Sequence, residues 1–268
     1  MLKQKRVAVC FSGQLRDWQF AKKNILNFFS PPNVEKATVD YFIHTWDTNT
    51  WREPKQDISI FKDNLHTDFP KIIEVYKPKK YHMSVYNPTD WPLFWDPLFY
   101  SFEYSMLLKQ QYELENNFIY DTVIKARPDV VYNPKELFPF NHTMLSGICY
   151  TSTFMSRFPR EFNKHCFDDI IFFGDSKTMD TMSGLYKYYA LKNGHRKPAE
   201  TSEPPIDINT DLYLGPGTLL YQYAVAHNIH PETLHVDYAV IRSTMQDKGL
   251  DSVDDFDEIK KLWFEWYR

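Results

Sequence analysis

In YDTVIKARPDVVY, residues 120–132, two apolar runs are separated by Arg127, Pro128 and Asp129. Proline removes a backbone donor and breaks a strand ladder locally. Arg127 and Asp129 are two residues apart, so in extended chain they project to the same side. A guanidinium forks onto phosphate oxygens, and a carboxylate is a hard oxygen ligand for Mn²⁺ or Mg²⁺. Side by side at a strand end, the two suit a diphosphate and its cation. The plainer alternative is an Arg–Asp ion pair closing a strand-to-turn junction. An unpaired buried charge is costly, so a charged break in an apolar strand has to lead to one or the other.

Three further stretches carry chemistry. CFSGQLRDW (10–18) turns a strand into a helix at Ser12-Gly13, with Arg16 one turn inside. With only 8 glycines in the chain, a glycine there points to a positive φ or a close backbone approach. The first strand-to-helix turn of a parallel sheet is a common nucleotide site. Neither the P-loop spacing nor the Gly-x-Gly-x2-Gly signature is present, and a plain turn with a surface arginine is the alternative. DYFIHTWD (40–47) puts His44, Trp46 and Asp47 at a second strand end, where a lone histidine serves either as a ligand or as a satisfied structural residue. HCFDDIIFFG (165–174) sets Asp168 and Asp169 before an apolar strand. With a period of two, one faces the crevice and the other away. A carboxylate there is a candidate general base for an acceptor hydroxyl; capping of the strand or a solvated pair is the alternative. Gly215 and Gly217, before a helix, read as loop rather than phosphate nest.

These residues need a scaffold, and the pattern predicts an α/β one. A strand over 5–11, a helix over 14–29 and a strand over 39–47 form the unit that builds parallel sheets. KIIEVYKP (71–78) reads as a third strand. A helix is expected from Pro97 to Asn116, where Leu98, Phe102 and Met106 are spaced by four. After the Arg-Pro-Asp break come a strand at 167–176, a helix capped by Ser176 and running to Leu191, a polar Pro-rich loop at 193–216 suited to a lid, a helix at 217–228 and a strand at 235–243. A terminal helix over 252–268 has acids first and Lys260-Lys261 later, and its Leu262, Trp263, Phe264 and Trp266 are expected to pack on the body.

The 268 residues are enough to bury a sizeable core in one large domain. Aromatic residues make up 17%, which suits buried rings and also sugar-stacking surfaces. A formal charge of −4 without a long basic run argues against a nucleic-acid partner. The cysteines Cys10, Cys149 and Cys166 have no zinc spacing, and an odd count argues against a disulfide framework. No run approaches the ~20 apolar residues of a membrane span, and the start has no signal-peptide core, so a soluble cytoplasmic protein is expected, in the host cytoplasm if the source is viral. On that reading the sequon at Asn141 is idle. Oligomeric state is not readable.

Taken in order, the four stretches resemble the GT-A-fold glycosyltransferases, most closely small bacterial and viral members associated with surface-polysaccharide synthesis. The matching pieces are SGQLR (12–16), D-x-F-I-H-T-W (40–46), Y-D-x-V-I-x-x-R-x-D (120–129) and D-x-x-x-F-G (169–174), with an echo at VIRS near Arg242. The resemblance implies a Rossmann-like, mostly parallel central sheet flanked by helices in one domain. Its donor half would be about residues 1–135 and its acceptor half about 136–268. It implies a hexosyltransferase-type enzyme that moves a sugar from a nucleoside-diphosphate sugar to a glycan or other hydroxyl acceptor. Ser12, Gly13, Gln14, Arg16, His44 and Arg127 would hold the nucleotide, Asp129 would bind Mn²⁺ or Mg²⁺, and Asp169, or else Asp168, would act on the acceptor. The family's Asp-x-Asp metal motif is matched here only at Asp129, which puts strict metal dependence in question. Two other functions fit the same residues: a sugar-phosphate nucleotidyltransferase, or a non-catalytic carbohydrate-binding or virion-associated module.

Overall fold

Seven strands form the central sheet, and the alternation of side chains along them divides the apolar interior between its two faces. The computed structural model describes residues 4–30, 37–51, 59–61, 65–87, 90, 95–140, 142–152, 166–192, 216–240 and 256–266. In chain order the elements are β1 (Lys5–Ser12), α1 (Trp18–Phe28), β2 (Ala37–Trp46), β3 (Asn49–Trp51), β4 (Ser59–Phe61), α2 (Leu65–Tyr76), β5 (Lys80–Ser84) and α3 (Asp96–Asn116). The chain continues through β6 (Thr122–Ala126), β7 (Val130–Tyr132), β8 (Ile148–Ser152), β9 (Phe172–Gly174), α4 (Ser176–Ser183), α5 (Leu185–Lys192), α6 (Pro216–Ala226), β10 (His230–Leu234), β11 (Tyr238–Val240) and α7 (Phe256–Trp266).

The sheet order is β5-β2-β1-β6-β9-β8-β10, so the expected α/β architecture with a mostly parallel central sheet and flanking helices is what the chain adopts. Only β9 runs antiparallel to its neighbours β6 and β8. The chain leaves β1 for β2 on one side and comes back to β6 on the other, which makes the gap between the ends of β1 and β6 a topological switch point. Val7, Val9 and Phe11 pack on one face with residues of α1, α2, β7, β11 and α7. Ala8 and Cys10 pack on the other with residues of α3, α4, α5 and α6. Large rings fill much of both cores, for example Phe28 stacked on Tyr132 at 4.1 Å between centroids.

Several elements differ from the sequence reading. KIIEVY belongs to helix α2: Phe69, Ile72 and Tyr76 are buried, the i, i+3, i+7 stripe of one helical face. Its β-branched Ile72, Ile73 and Val75 imitate a strand. The true third parallel neighbour is β5, an exposed edge strand, KYHMS, with too little apolar pattern to declare itself. Strands β8 and β10 leave little signal in the sequence, because ICYTS is half polar and HPETL carries a proline on an edge strand. Helix α1 starts at Trp18, after Asp17 in the left-handed region (φ 51°), so Arg16 lies in the turn before the helix. The N-cap of α4 is Asp175, whose side chain accepts from the Thr178 amide, while the Ser176 hydroxyl donates to Glu113. That helix ends at Ser183, and α5 resumes at Leu185. The lid at 193–216 (apart from Pro216), Asn141, Arg242 and the side chains of Leu262, Trp263, Phe264 and Trp266 lie outside the described residues.

Candidate functional site

The polar residues singled out in the sequence come together at one edge of the sheet. Ser12 ends β1 in register with His44 of β2, and His44 is in register with His82 of β5. Phe11 is in register with Ala126, the last residue of β6, so Arg127 leaves β6 beside the Ser12-Gly13 turn. Because β9 is antiparallel, the residues before it, Asp168 and Asp169, reach the same edge. The end of β8, at Ser152, also lies there.

On the β1 side the buried contacts around Gly13 and His44 are neutral. Gly13 has φ +112°, and a Cβ on it would meet nothing within 4 Å, so backbone conformation and not crowding requires glycine there. Its amide donates to Ser101 Oγ of α3 at 2.7 Å. His44 is buried, with Nδ1 2.8 Å from Ser101 Oγ and Nε2 3.0 Å from Ser84 Oγ. Burial, helped by the nearby His82, pushes its pKa down to about 3, so the ring is neutral. With both ring nitrogens engaged inside the protein, His44 supports the turn from behind. Arg16 donates through Nε to Gln14 Oε1 at 2.6 Å, and through Nη2 to the same oxygen, so these two side chains form one unit at the turn. The Ser12 hydroxyl is buried at the strand end with no hydrogen-bond partner among the described residues.

On the β6 side the contacts are ionic. Arg127 forks onto Asp129, Nε to Oδ1 at 2.8 Å and Nη2 to Oδ2 at 2.5 Å. The Asp129 side chain is 1% exposed and that of Arg127 18%, so the guanidinium is the member of the pair that reaches the surface. The break at 127–129 also redirects the chain. β6 is in the central sheet, whereas β7 pairs antiparallel with β11 in a separate two-stranded sheet.

Two residues upstream, Lys125 is buried within β6. Its ammonium donates to the Asp169 carbonyl and, at 3.4 Å, to the Ile170 carbonyl. Burial pushes its pKa down to about 8 against the pull of Asp169 and Asp168, with Arg127 adding to the fall. The two aspartates are not equivalent. Asp168 turns inward, accepts from the Ser152 and Tyr238 hydroxyls, and takes the Ile170 amide at 3.0 Å. Burial raises its pKa to about 6, although the Ser152 and Tyr238 hydrogen bonds pull it back. Asp169 is only partly buried, and its carbonyl is held by Lys125. Both residues lie before β9 and not in the strand, so it is the bend there that leaves Asp169 the more exposed of the two.

A cation on Asp129 would compete with Arg127 for the same two oxygens. Among the described residues no three His, Cys, Asp or Glu side chains gather as a metal site. With Arg127 in place, Mn²⁺ or Mg²⁺ would have to displace the guanidinium to reach Asp129. Gly217 opens α6 against Phe167: a Cβ there would lie 2.2 Å from the Phe167 carbonyl oxygen, so this glycine serves close packing. Sequence reading missed Lys125, Ser101, Ser84, Ser152 and Tyr238. A lysine inside the apolar run VIKA was the one visible signal. The hydroxyls carry none, because their partners are remote in sequence.

Among the described residues no helix is long and apolar enough to cross a membrane. No protein-family model and no curated protein matches the chain. Among solved structures it is similar to the glycosyltransferase GlyE of Streptococcus pneumoniae TIGR4, with 9% identity and a TM-score of 0.38 over 87% of this chain and 46% of that one. It is also similar to the apo form of GlyE, with 10% identity and a TM-score of 0.35 over 75% and 41% of the two chains. The chain thus spans less than half the length of either structure.

Proposed function

We propose that this chain transfers a sugar from a nucleoside-diphosphate donor to a hydroxyl acceptor, using the crevice between the ends of β1 and β6. One observation carries the reading. The Ser12–Arg16 turn, Arg127 and Asp169 come from three separate strand ends and meet at one sheet edge, across the switch point where open α/β sheets bind ligands. The order of the sequence motifs supports a GT-A-type enzyme acting on a polysaccharide-like acceptor.

In this mechanism the turn at Ser12, Gly13, Gln14 and Arg16 holds the nucleotide, with His44 bracing it. Arg127, aimed by Asp129, lies against the diphosphate and stabilises the charge that develops as the sugar–phosphate bond breaks. Asp169 takes the acceptor's proton while the acceptor oxygen bonds to the anomeric carbon, and the bonding pair leaves with the nucleoside diphosphate. Such a single displacement inverts the anomeric centre. Asp168, the alternative base, is buried with its oxygens on Ser152, Tyr238 and the Ile170 amide.

The test is a thermal-shift panel of UDP, GDP, CDP and their sugars, each with Mn²⁺, Mg²⁺ or EDTA, on wild type and Arg127→Met. A ligand at 100 times its Kd stabilises by about 2.7 kcal/mol, a shift of several degrees. The reading expects one nucleotide to do this, and the shift to shrink in Arg127→Met. Dependence on Mn²⁺ or Mg²⁺ would show that the cation arrives with the donor. If no nucleotide stabilises the protein while free glycans do, the chain is a carbohydrate-binding module. Turnover of a nucleoside triphosphate with a sugar phosphate would make it a nucleotidyltransferase.

A further inference from the structure

The donor-side turn is braced by a hydrogen-bonded line that crosses three elements. Gly13 belongs to the turn after β1, Ser101 to α3, His44 to β2 and Ser84 to β5. Ser101 is fully buried and so are most of its surroundings. Its hydroxyl has one proton to give. It accepts the Gly13 amide at 2.7 Å, so that proton goes to His44, where Nδ1 at 2.8 Å is closer than the carbonyl oxygen at 3.3 Å. With Nδ1 accepting, the neutral ring carries its proton on Nε2 and donates to Ser84 Oγ at 3.0 Å. Every donor then points the same way, from Gly13 toward Ser84, and each bond polarises the next. The line contains no charge, and burial holds its one titratable ring neutral, with a pKa near 3.

We propose that Ser101 is a positioning residue that fixes the Gly13 amide, and with it the turn that receives the donor's diphosphate; this rests on the donor-site reading above. Gly13 has an open approach and a backbone angle that most residues cannot adopt. Nothing in the glycine itself selects φ +112° over other angles, because glycine is permissive. The hydrogen bond to Ser101 makes the selection before any ligand arrives. Preorganisation of this kind raises affinity by lowering the ordering cost of binding. His44 orients the Ser101 hydroxyl, and Ser84 fixes the His44 ring.

The test uses the full chain and isothermal titration with UDP, GDP and CDP. Ser101→Ala should weaken the nucleotide that wild type prefers by about tenfold, the loss of one ordered hydrogen bond. Ser84→Ala, one bond further back, should weaken it by about threefold. Ser105→Ala, one turn along α3 and bonded to the Phe102 carbonyl, is the control and should bind as wild type does. Amide exchange at Gly13 in the nucleotide-free protein should be slow in wild type and fast in Ser101→Ala. A merely structural serine would lower Tm and leave the Kd of the folded protein unchanged, and that result overturns the proposal. If Ser101→Ala does not fold, unchanged affinity in Ser84→Ala overturns it instead. If wild type binds none of the three nucleotides, the donor-site reading falls and the positioning role with it. Gly13 exchange then reports whether the brace itself exists.

Discussion

The two flanks of the crevice differ in how they hold polar groups inside the protein. On the β1 flank Gly13, Ser101, His44 and Ser84 meet as neutral partners, and burial drives the one titratable ring to its uncharged form. On the β6 flank Lys125, Arg127, Asp129 and Asp168 lie together, and Arg127 and Asp129 meet as an ion pair. A neutral line gives direction without strong fields, which suits fixing a backbone turn. Paired ions give field strength, but each depends on the others, because a buried charge left alone is far costlier than a lost neutral hydrogen bond. The flank where charge develops during the proposed transfer is the ionic one.

The comparison can be tested in order of expected effect. Asp169→Asn should cut sugar transfer by about 10²–10⁴-fold, the usual contribution of a general base, with little change in melting temperature. Full activity in that variant would move the base elsewhere. Lys125→Met should lower stability by about 1–3 kcal/mol in urea titrations, since it leaves the Asp169 carbonyl without its buried donor. No loss would mean that burying the ammonium costs as much as its hydrogen bonds return.

The pH dependence of stability separates the flanks by sign. His44 titrates near 3 when folded and near 6.5 when unfolded, so its contribution is complete above about pH 6.5 and is lost as pH falls toward 3. Asp168 titrates near 6 when folded and near 3.8 when unfolded, so its contribution is complete below about pH 3.8 and is lost as pH rises through 6. Between about pH 4 and 6 the two slopes oppose each other in wild type. Asp168→Asn should unmask a rise in stability with pH, relative to wild type, approaching 1.4 kcal/mol per unit. His44→Gln should unmask a fall of similar size. Urea titrations at three pH values across that window check this, and parallel curves for the two variants would remove the distinction. The smallest effect belongs to the neutral flank: Ser101→Ala should cost about 1–2 kcal/mol of stability, the loss of a buried hydrogen-bond partner.

Local pattern carried much of this fold. The strand–turn–helix at residues 5–28, the second strand ending at Trp46 and helix α3 from Asp96 to Asn116 are readable because each has one dominant period and a clear stop. Helix α2 was misread because Ile72, Ile73 and Val75 are β-branched, and its helical stripe shows only when Phe69 and Tyr76 are counted with Ile72. Edge strands β5 and β10 have little buried surface and so leave little pattern. In the site, the break at Arg127–Asp129 was legible because charge and proline interrupt an apolar run.

The sequence by itself determined which chemical groups stand at the ends of β1, β2 and β6, since side-chain type and strand period are properties of the chain read in order. Only the tertiary structure decided how those groups are used. Asp129 spends both oxygens on Arg127, Asp168 turns in toward Ser152 and Tyr238 and leaves Asp169 facing out, and the Gly13 amide finds Ser101 across 88 residues of sequence. The physical reason is that a hydrogen bond or ion pair is fixed by distance and direction in space. Sheet order and helix docking set those, and they place partners together that no local period connects.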